Sequence, residues 1–197
     1  MTSSSPPSER KPRPDAADRI LRATARAIVR SGAVAVTMSE VAEEAAVSKG
    51  LIHYHFHDKE TLLARLVEWI TRSLLEREQR ALANSAPRHA VDDLWRWLEG
   101  ELERGHIRVL NELSEWRGEL VKRSIGESAR LRRVTAADTV EHLFELLGLR
   151  LRVPSGLVAE VVVAFVDGLA VSSVVAPEAN PRASFDVMWL ALLSLAE

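Results

Sequence analysis

Apolar residues along the chain recur every three to four positions rather than every two. No β-branched run is bounded on both sides by hairpin turn signals, so the pattern predicts an all-α protein. From Asp15 to Ala86 there is no proline. The breakers that follow are Pro87, Pro154, Pro177 and Pro181, with Gly32, Gly126 and Gly148 read as helix stops. A first helix opens at Asp15 or Asp18 and runs to about Ser31, where Gly32 fits the left-handed C-terminal position. Thr37 or Ser39 caps a short second helix ending near Ala45, Ala46 and Val47 form a tight turn, and Ser48 caps a third short helix through Phe56. Asp58 begins a long fourth helix from Lys59 to about Ala83. Val91, Leu94, Trp95, Leu98 and Leu102 lie at helical spacing on a fifth. Further helices cover roughly 105–123, 127–147, 155–176 and 182–196, which makes about nine.

Composition narrows the class. The chain has 197 residues, 47% hydrophobic and 27% charged, enough to bury a core without staples. It has no Cys, which removes disulfides, thiolate zinc sites, iron–sulfur clusters and cysteine nucleophiles together. Residues 1–14 are a Ser/Pro/basic tail expected to be disordered, and they carry no apolar core of a signal peptide. The apolar stretch Val161–Ala176 contains Asp167 and is shorter than the roughly 20 residues of a membrane span, so a cytoplasmic protein is expected. Up to Lys59 nine basic residues stand against seven acidic ones, leaving 17 and 21 for the remainder, a small asymmetry that permits nucleic-acid binding by the N-terminal part.

Two short helices joined by a tight turn, the second opening on a Ser cap, have the plan of a helix-turn-helix. Val41, Ala42, Ala45, Val47 and Ile52 would bury between them. That leaves Ser48, Lys49, Gly50, Leu51, His53, Tyr54 and His55 to divide between core and solvent, a set dominated by polar donors. Such a helix can lie in a major groove with its first residues at base edges and its hydroxyl, ammonium and imidazole groups on phosphates.

At these residues the sequence resembles the TetR/AcrR-type bacterial transcriptional regulators. The resemblance runs from Arg19 to Leu66: Arg19-Ile20-Leu21, Ala23, Gly32, Thr37, Val41-Ala42, Ala45, Val47-Ser48-Lys49-Gly50, Tyr54-His55-Phe56, Lys59 and Leu62-Leu63. It implies an N-terminal three-helix DNA-binding domain over 15–57, a helical ligand-binding and dimerisation domain over 58–197, and a homodimer formed by the last two helices. It further implies that Thr37 offers a hydroxyl and a helix N-terminus to phosphate, that Ser48, Lys49, Gly50 and Leu51 face the groove, and that Tyr54, His55 and Lys59 grip the backbone. Three positions depart from the pattern. His53 replaces an aromatic, Ala46 replaces the usual turn glycine, and Ala33 replaces an aromatic that anchors the turn after the first helix, so packing there should be looser.

The same resemblance places a ligand pocket among the fourth to seventh helices, where Trp69, Trp95, Leu98, Leu102, Leu110, Leu113, Trp116 and Phe144 are the candidate lining and Glu112, Glu115 and Arg117 the polar fixtures. Trp97 lies about 160° from Trp95 in helical projection, so the two are not expected to share one core. The eighth helix is apolar all round and needs cover on more than one side. Val158, Val162, Phe165 and Leu169, with Met188, Trp189 and Leu192 of the last helix, are therefore candidates for a two-fold interface. The pair His53 and His57 and the lone Glu103-x-x-His106 read as ordinary surface rather than metal ligands, and Glu99, Glu101, Glu103 and Arg104 as a solvated face.

The sequence thus points to a ligand-responsive transcriptional regulator that binds a pseudo-palindromic operator as a homodimer and is released by a small apolar or aromatic effector, and the resemblance implies that it is a repressor. No catalytic residue, metal or cofactor is expected. The second reading is a helical-bundle enzyme or small-molecule carrier without DNA binding, and no nucleophile–base pair or phosphate loop supports it.

Overall fold

The computed structural model describes residues 15–83 and 85–197, so the tail expected at 1–14 lies outside the described residues. Among the described residues the chain forms α1 (Ala16–Ser31), α2 (Met38–Glu44), α3 (Lys49–Phe56), α4 (Lys59–Leu82), α5 (Ala90–Arg104), α6 (His106–Ser114), α7 (Glu119–Leu146), α8 (Ser155–Val175) and α9 (Pro181–Leu193). A 3-10 turn, Pro87–His89, precedes α5, and an isolated antiparallel bridge joins Leu151 to Ala196.

Local chemistry sets four of the helix starts. The side chains of Thr37, Ser48, Asp58 and Asn180 each accept a backbone N–H three residues on, from Glu40, Leu51, Thr61 and Ala183. A cap of this kind is worth about 1 kcal/mol. Of Thr37 and Ser39, Thr37 is the cap, and Glu40 returns to its backbone to close a capping box.

One break falls elsewhere than expected. The helices read as 105–123 and 127–147 are α6, ending at Ser114, and α7, starting at Glu119. Gly126 is an exposed interior residue of α7, where glycine costs about 1 kcal/mol relative to alanine. Burial of Val121, Ser128, Arg132, Ala136 and Val140 along 28 residues outweighs that cost. The true start is at Gly118, and its cap is non-local. A Cβ there would lie 2.5 Å from Oε1 of Glu60 on α4, and the same oxygen accepts the Leu120 N–H at 2.9 Å.

The core falls into three parts. Ile20, Ile28, Val41, Ile52, Phe56, Leu62 and Leu66 unite α1, α2, α3 and the first half of α4, and α6 adds Val109, Leu110 and Leu113 to the same cluster. A second cluster gathers Leu74, Trp95, Leu98, Ile107, Val166 and Phe185, and a third Val140, Leu143, Phe144, Val158 and Trp189. α7 lies between α4 and α8.

Three expectations are corrected. Trp95 and Trp97 both pack against the second cluster, because α5 is covered by α4 on one side and approached by α8 on another. Glu101 does not belong to a solvated face: it is 0% exposed, held by Arg77 Nε and Nη2 at 2.5 and 2.8 Å, with Arg104 at 3.3 Å. Finally, the apolar segment is not shorter than a membrane span: α8 starts at Ser155 as expected, and its 21 residues are long and apolar enough to cross a membrane by length and composition. In this fold Val158, Ala159, Val166, Leu169 and Ala170 are buried against the rest of the chain, and Asp167 pairs with Arg132 of α7 at 2.5 Å.

Candidate nucleic-acid interface and cavity

In α2 and α3 the apolar side chains Val41, Ala42, Ala45, Ile52 and Phe56 are buried, and Val47 in the turn packs against them. Ala46 takes φ 51°, the left-handed region, which lets the chain reverse in three residues. Arg19 of α1 reaches over this turn and donates Nη2 to the carbonyls of Ala45 at 2.8 Å and Ala46 at 3.2 Å. That role is absent from the sequence reading, where Arg19 is only one residue of a motif.

The outward face of α3 carries Lys49, Gly50, His53 and Tyr54, with Tyr54 77% exposed. Ser48, also exposed, caps the helix through its Oγ. Leu51 and His55 are half-buried, and the His55 ring stands edge-on to Tyr54 at 5.3 Å. His53 Nδ1 lies 2.8 Å from the carbonyl oxygen of His57. With the proton on Nδ1 it donates there, which leaves Nε2 as an acceptor. His53 therefore meets His57 at its backbone rather than at its ring.

Two of the expected phosphate contacts are already engaged within the chain. The Thr37 hydroxyl accepts the Glu40 N–H and donates to Glu40 Oε2, and the Thr37 backbone N–H, followed by that hydroxyl, holds the Glu40 carboxyl below its ordinary range. Lys59 Nζ donates to the Val34 carbonyl at 3.0 Å and lies 5.3 Å from the centre of the Trp116 ring. Burial lowers its pKa, while Glu40 nearby pulls the other way. One of its three N–H groups is used on Val34, so two remain for an outside acceptor.

A cavity of about 60 Å³ lies between the second half of α4 and helices α5, α7, α8 and α9. Its walls include Leu74, Leu75, Leu94, Leu98, Leu143, Val162, Val166, Phe185, Met188 and Trp189, and its polar groups come from Glu78, Trp97, Arg132 and Thr139. Glu78 is 6% exposed and accepts a hydrogen bond from Thr139 Oγ1 at 2.7 Å. Burial raises its pKa against the opposing pull of Thr139 and Arg132. Arg132 forks onto Asp167 through Nη2 at 2.5 Å and Nη1 at 3.3 Å. Trp97 Nε1 is buried and has no hydrogen-bond partner. None of these four polar residues is named as lining in the sequence reading. A signal was present all the same: Glu78 falls at i+4 between Leu74 and Leu82, and Arg132 between Ser128 and Ala136, each a charge inside a buried stripe.

A seam joins the two ends of the molecule. Arg108 of α6 donates to the Val29 carbonyl at 2.6 Å, and the Glu112 carboxylate accepts the Ala33 N–H. Gly32 beside it has φ 81° and ψ 153°, a positive φ outside the left-handed helical region, and a Cβ there would come within 3.0 Å of Glu112 Oε1. Ala33 is buried, and its turn is anchored by this carboxylate across the fold in place of an aromatic ring. Trp69 Nε1 donates to Asp18 Oδ1 at 2.7 Å. On the cavity side, Asn111 of α6 donates to the carbonyl of Asp167 at 3.1 Å.

Residues 20–66 match the family described as bacterial regulatory proteins, tetR family. Over these residues the chain is similar to the TetR family. It is 32% identical over 95 residues to the HTH-type transcriptional regulator TtgR of Pseudomonas putida, a match that takes in 48% of this chain and spans only 41% of the relative's length. The fold is shared with a TetR transcription regulator from Haloarcula marismortui at TM-score 0.75 and 16% identity, covering 93% of this chain and 99% of that one. It is shared also with SmeT in its triclosan complex at TM-score 0.65 and 17% identity, covering 89% and 90%.

Within the chain the candidate pocket residues do not converge on one space. Leu98 lines the cavity, Trp95 and Leu102 pack beside it in the second cluster, and Phe144 lies in the third. Trp69, Leu110, Leu113 and Trp116 belong to the first cluster, at the seam. Glu112 holds the seam, while Glu115 and Arg117 are exposed. Of the candidate interface residues, Val162, Met188, Trp189 and Leu192 line the cavity, Val158 and Leu169 are buried within the chain, and Phe165 is half-buried. The apolar side chains that α8 and α9 leave exposed are Leu157, Val161, Val171, Val174, Val175, Val187 and Leu190.

Proposed function

We propose that the chain is a ligand-responsive DNA-binding transcriptional regulator, a repressor, that acts as a homodimer in the cytoplasm. The observation that carries this reading is the division of α3. Its apolar residues Ile52 and Phe56 are buried, while Lys49, Gly50, His53 and Tyr54 stand free on the face a major groove would meet. Residues 15–57 form the DNA-binding unit, and 58–197 carry the effector cavity and the dimer surface. Two copies related by a two-fold axis set their α3 helices on successive major grooves, about 34–36 Å apart, and so select a pseudo-palindrome. Phosphates are held by Tyr54, His55, Lys59 and the N-terminal end of α2 at Thr37, and bases are read from Lys49 and His53, with Ser48, Gly50 and Leu51 at the groove.

Effector enters the cavity beneath α5. α4 runs from the α3 corner to the cavity wall, and α6 is bonded to α1 at one side and to Asp167 at the other. Widening the cavity therefore moves both helices against the DNA-binding unit and spoils the spacing of the two α3 helices. A coupling of about 1–3 kcal/mol is typical of such switches, and it requires the effector to prefer the conformer that cannot bind DNA. The triclosan complex of SmeT is a precedent for a small molecule bound to a protein of this fold.

The test is binding of the ligand-free protein to random duplex DNA across a salt series. Affinity should fall steeply and linearly on a log–log plot as salt rises, in proportion to the phosphates neutralised. Absence of any salt-dependent association sinks the regulator reading and favours a carrier.

A further inference from the structure

The cavity walls specify the chemistry of what enters, and this inference rests on the reading of that cavity as the effector site. Among its polar groups, Arg132 is already neutralised by its fork onto Asp167, so it offers no free positive charge to an anionic ligand. Burial favours the uncharged form of Glu78 beside it, so the wall offers no fixed negative charge to draw a cationic ligand either. The group without a partner is a donor, the indole N–H of Trp97. A buried donor of this kind carries an uncompensated desolvation penalty that a ligand acceptor would relieve. The remaining lining is almost entirely aliphatic and aromatic. We propose that the effector is an uncharged, largely apolar molecule carrying a hydrogen-bond acceptor oxygen, such as a ketone or ether, and that the oxygen takes the Trp97 N–H. Glu78 and Thr139, bonded to one another, are further polar lining of the same cavity.

Size adds a consequence. The cavity, at about 60 Å³, is smaller than the roughly 150 Å³ that admits benzene in an engineered protein core, so a molecule of more than a few heavy atoms must part the walls. An effector of this class therefore binds a widened conformer in preference to the one described here. That preference is what a population shift requires.

The test uses the full chain and probes of one chain length, namely 2-octanone, octylamine and octanoate, with 2-methyl-1-octene as the hydrocarbon in which a methylene replaces the ketone oxygen. Binding is read by calorimetry or thermal shift. 2-Octanone should bind at least about tenfold tighter than the cation or the anion, and tighter than the alkene once each affinity is referred to its water-to-octanol partition. Trp97→Phe, which keeps an aromatic ring and removes the donor, should weaken 2-octanone by about five- to tenfold and leave the alkene unchanged. Glu78→Gln, which leaves the indole donor untouched, should hold 2-octanone within about twofold. Tightest binding by octylamine or octanoate, no binding of 2-octanone, or a ketone no better than the alkene would each overturn the proposal. The alkene comparison needs no variant and stands even if Trp97→Phe fails to fold. The same ligand-free protein is assayed on duplex DNA. Salt-dependent DNA binding without 2-octanone binding sinks the effector chemistry alone, and loss of DNA binding sinks the regulator reading even where the ketone binds.

Discussion

Ala46 sits at φ 51° with a Cβ that the left-handed region penalises by about 1–2 kcal/mol. Arg19 offsets the strain by bonding both carbonyls of the turn. Ala46→Gly removes the clash and adds some unfolded-state entropy, so the variant should be more stable by about 0.5–1 kcal/mol, read as a raised denaturation midpoint at unchanged slope. A neutral or lowered midpoint would show that the turn is not strained. Base reading belongs to the same scale. Lys49 and His53 are exposed on α3 one turn apart, and His53 bonds His57 through Nδ1, which fixes Nε2 outward as an acceptor. His53→Ala should relax one position of each half-site at a cost of about 1–3 kcal/mol on operator and little on random DNA. Lys49→Ala should do the same if Lys49 reads a base, whereas a phosphate contact there lowers both affinities and flattens the salt slope. Binding-site selection with each variant checks both, and an unchanged preferred sequence would refute base reading at that residue. The caps Thr37, Ser48 and Asp58 were legible in the sequence because their partners are three residues away. Arg19 over the turn, Glu60 at Gly118 and Glu112 at Ala33 were not, since each acts on a residue 26 or more positions distant.

Between single side chains and the whole fold, α6 is the element on which most depends. Nine residues long, it gives Val109, Leu110 and Leu113 to the first cluster and Ile107 to the second. His106 opens it, half-buried against Trp69 and beside Arg77, Glu101, Arg104 and Arg22, and burial followed by the Arg77 charge lowers its pKa to about 4. The unfolded chain takes up this proton near pH 6.5, whereas the folded chain resists it down to about 4. A depressed imidazole contributes stability above pH 6.5 that is lost progressively as pH falls towards 4. Glu78, with its raised pKa, acts in the opposite sense on acidification. The expected result is therefore a difference between proteins: between pH 6.5 and 4.5, wild type should lose roughly 1–3 kcal/mol more than His106→Gln, a figure reduced from the full shift because the ring keeps some solvent contact. Parallel pH profiles for the two would refute the assignment. Sequence periodicity located seven of these helices closely but misjudged where α6 ends and α7 begins, because Gly126 looks like a stop and the actual start of α7 has no local cap. The α8 periodicity was equally mute about sidedness: a helix apolar all round shows that it is covered, without saying which side the protein's own core covers.

At the scale of the molecule, α8 and α9 turn Val158, Leu169, Trp189 and Leu192 inward and leave Val161, Val187 and Leu190 outside, the last two 67% and 66% exposed. A dimer surface, if it lies here, is built from the outward set, and in a two-fold interface each substitution counts twice. Leu190→Glu should convert a micromolar dimer into a monomer by analytical ultracentrifugation with its helix content unchanged, and operator affinity should fall by at least about tenfold. A monomeric wild type, or a variant still dimeric at the same concentration, would refute this placement. Charge at Val162, by contrast, enters the cavity wall and should cost fold stability instead. The five tryptophans sort along the same axis. Trp69 and Trp116 lie at the seam, each near a cation, with Arg22 5.5 Å from one ring and Lys59 5.3 Å from the other, while Trp95, Trp97 and Trp189 surround the cavity. Ultraviolet emission from this chain is thus two signals superposed. A protein with Trp69 and Trp116 replaced by Phe would glow only from around the cavity, and one with Trp95, Trp97 and Trp189 replaced would glow only from the seam. Stopped-flow traces of the two would time the arrival of a small molecule and the release of the DNA-binding unit as separate events.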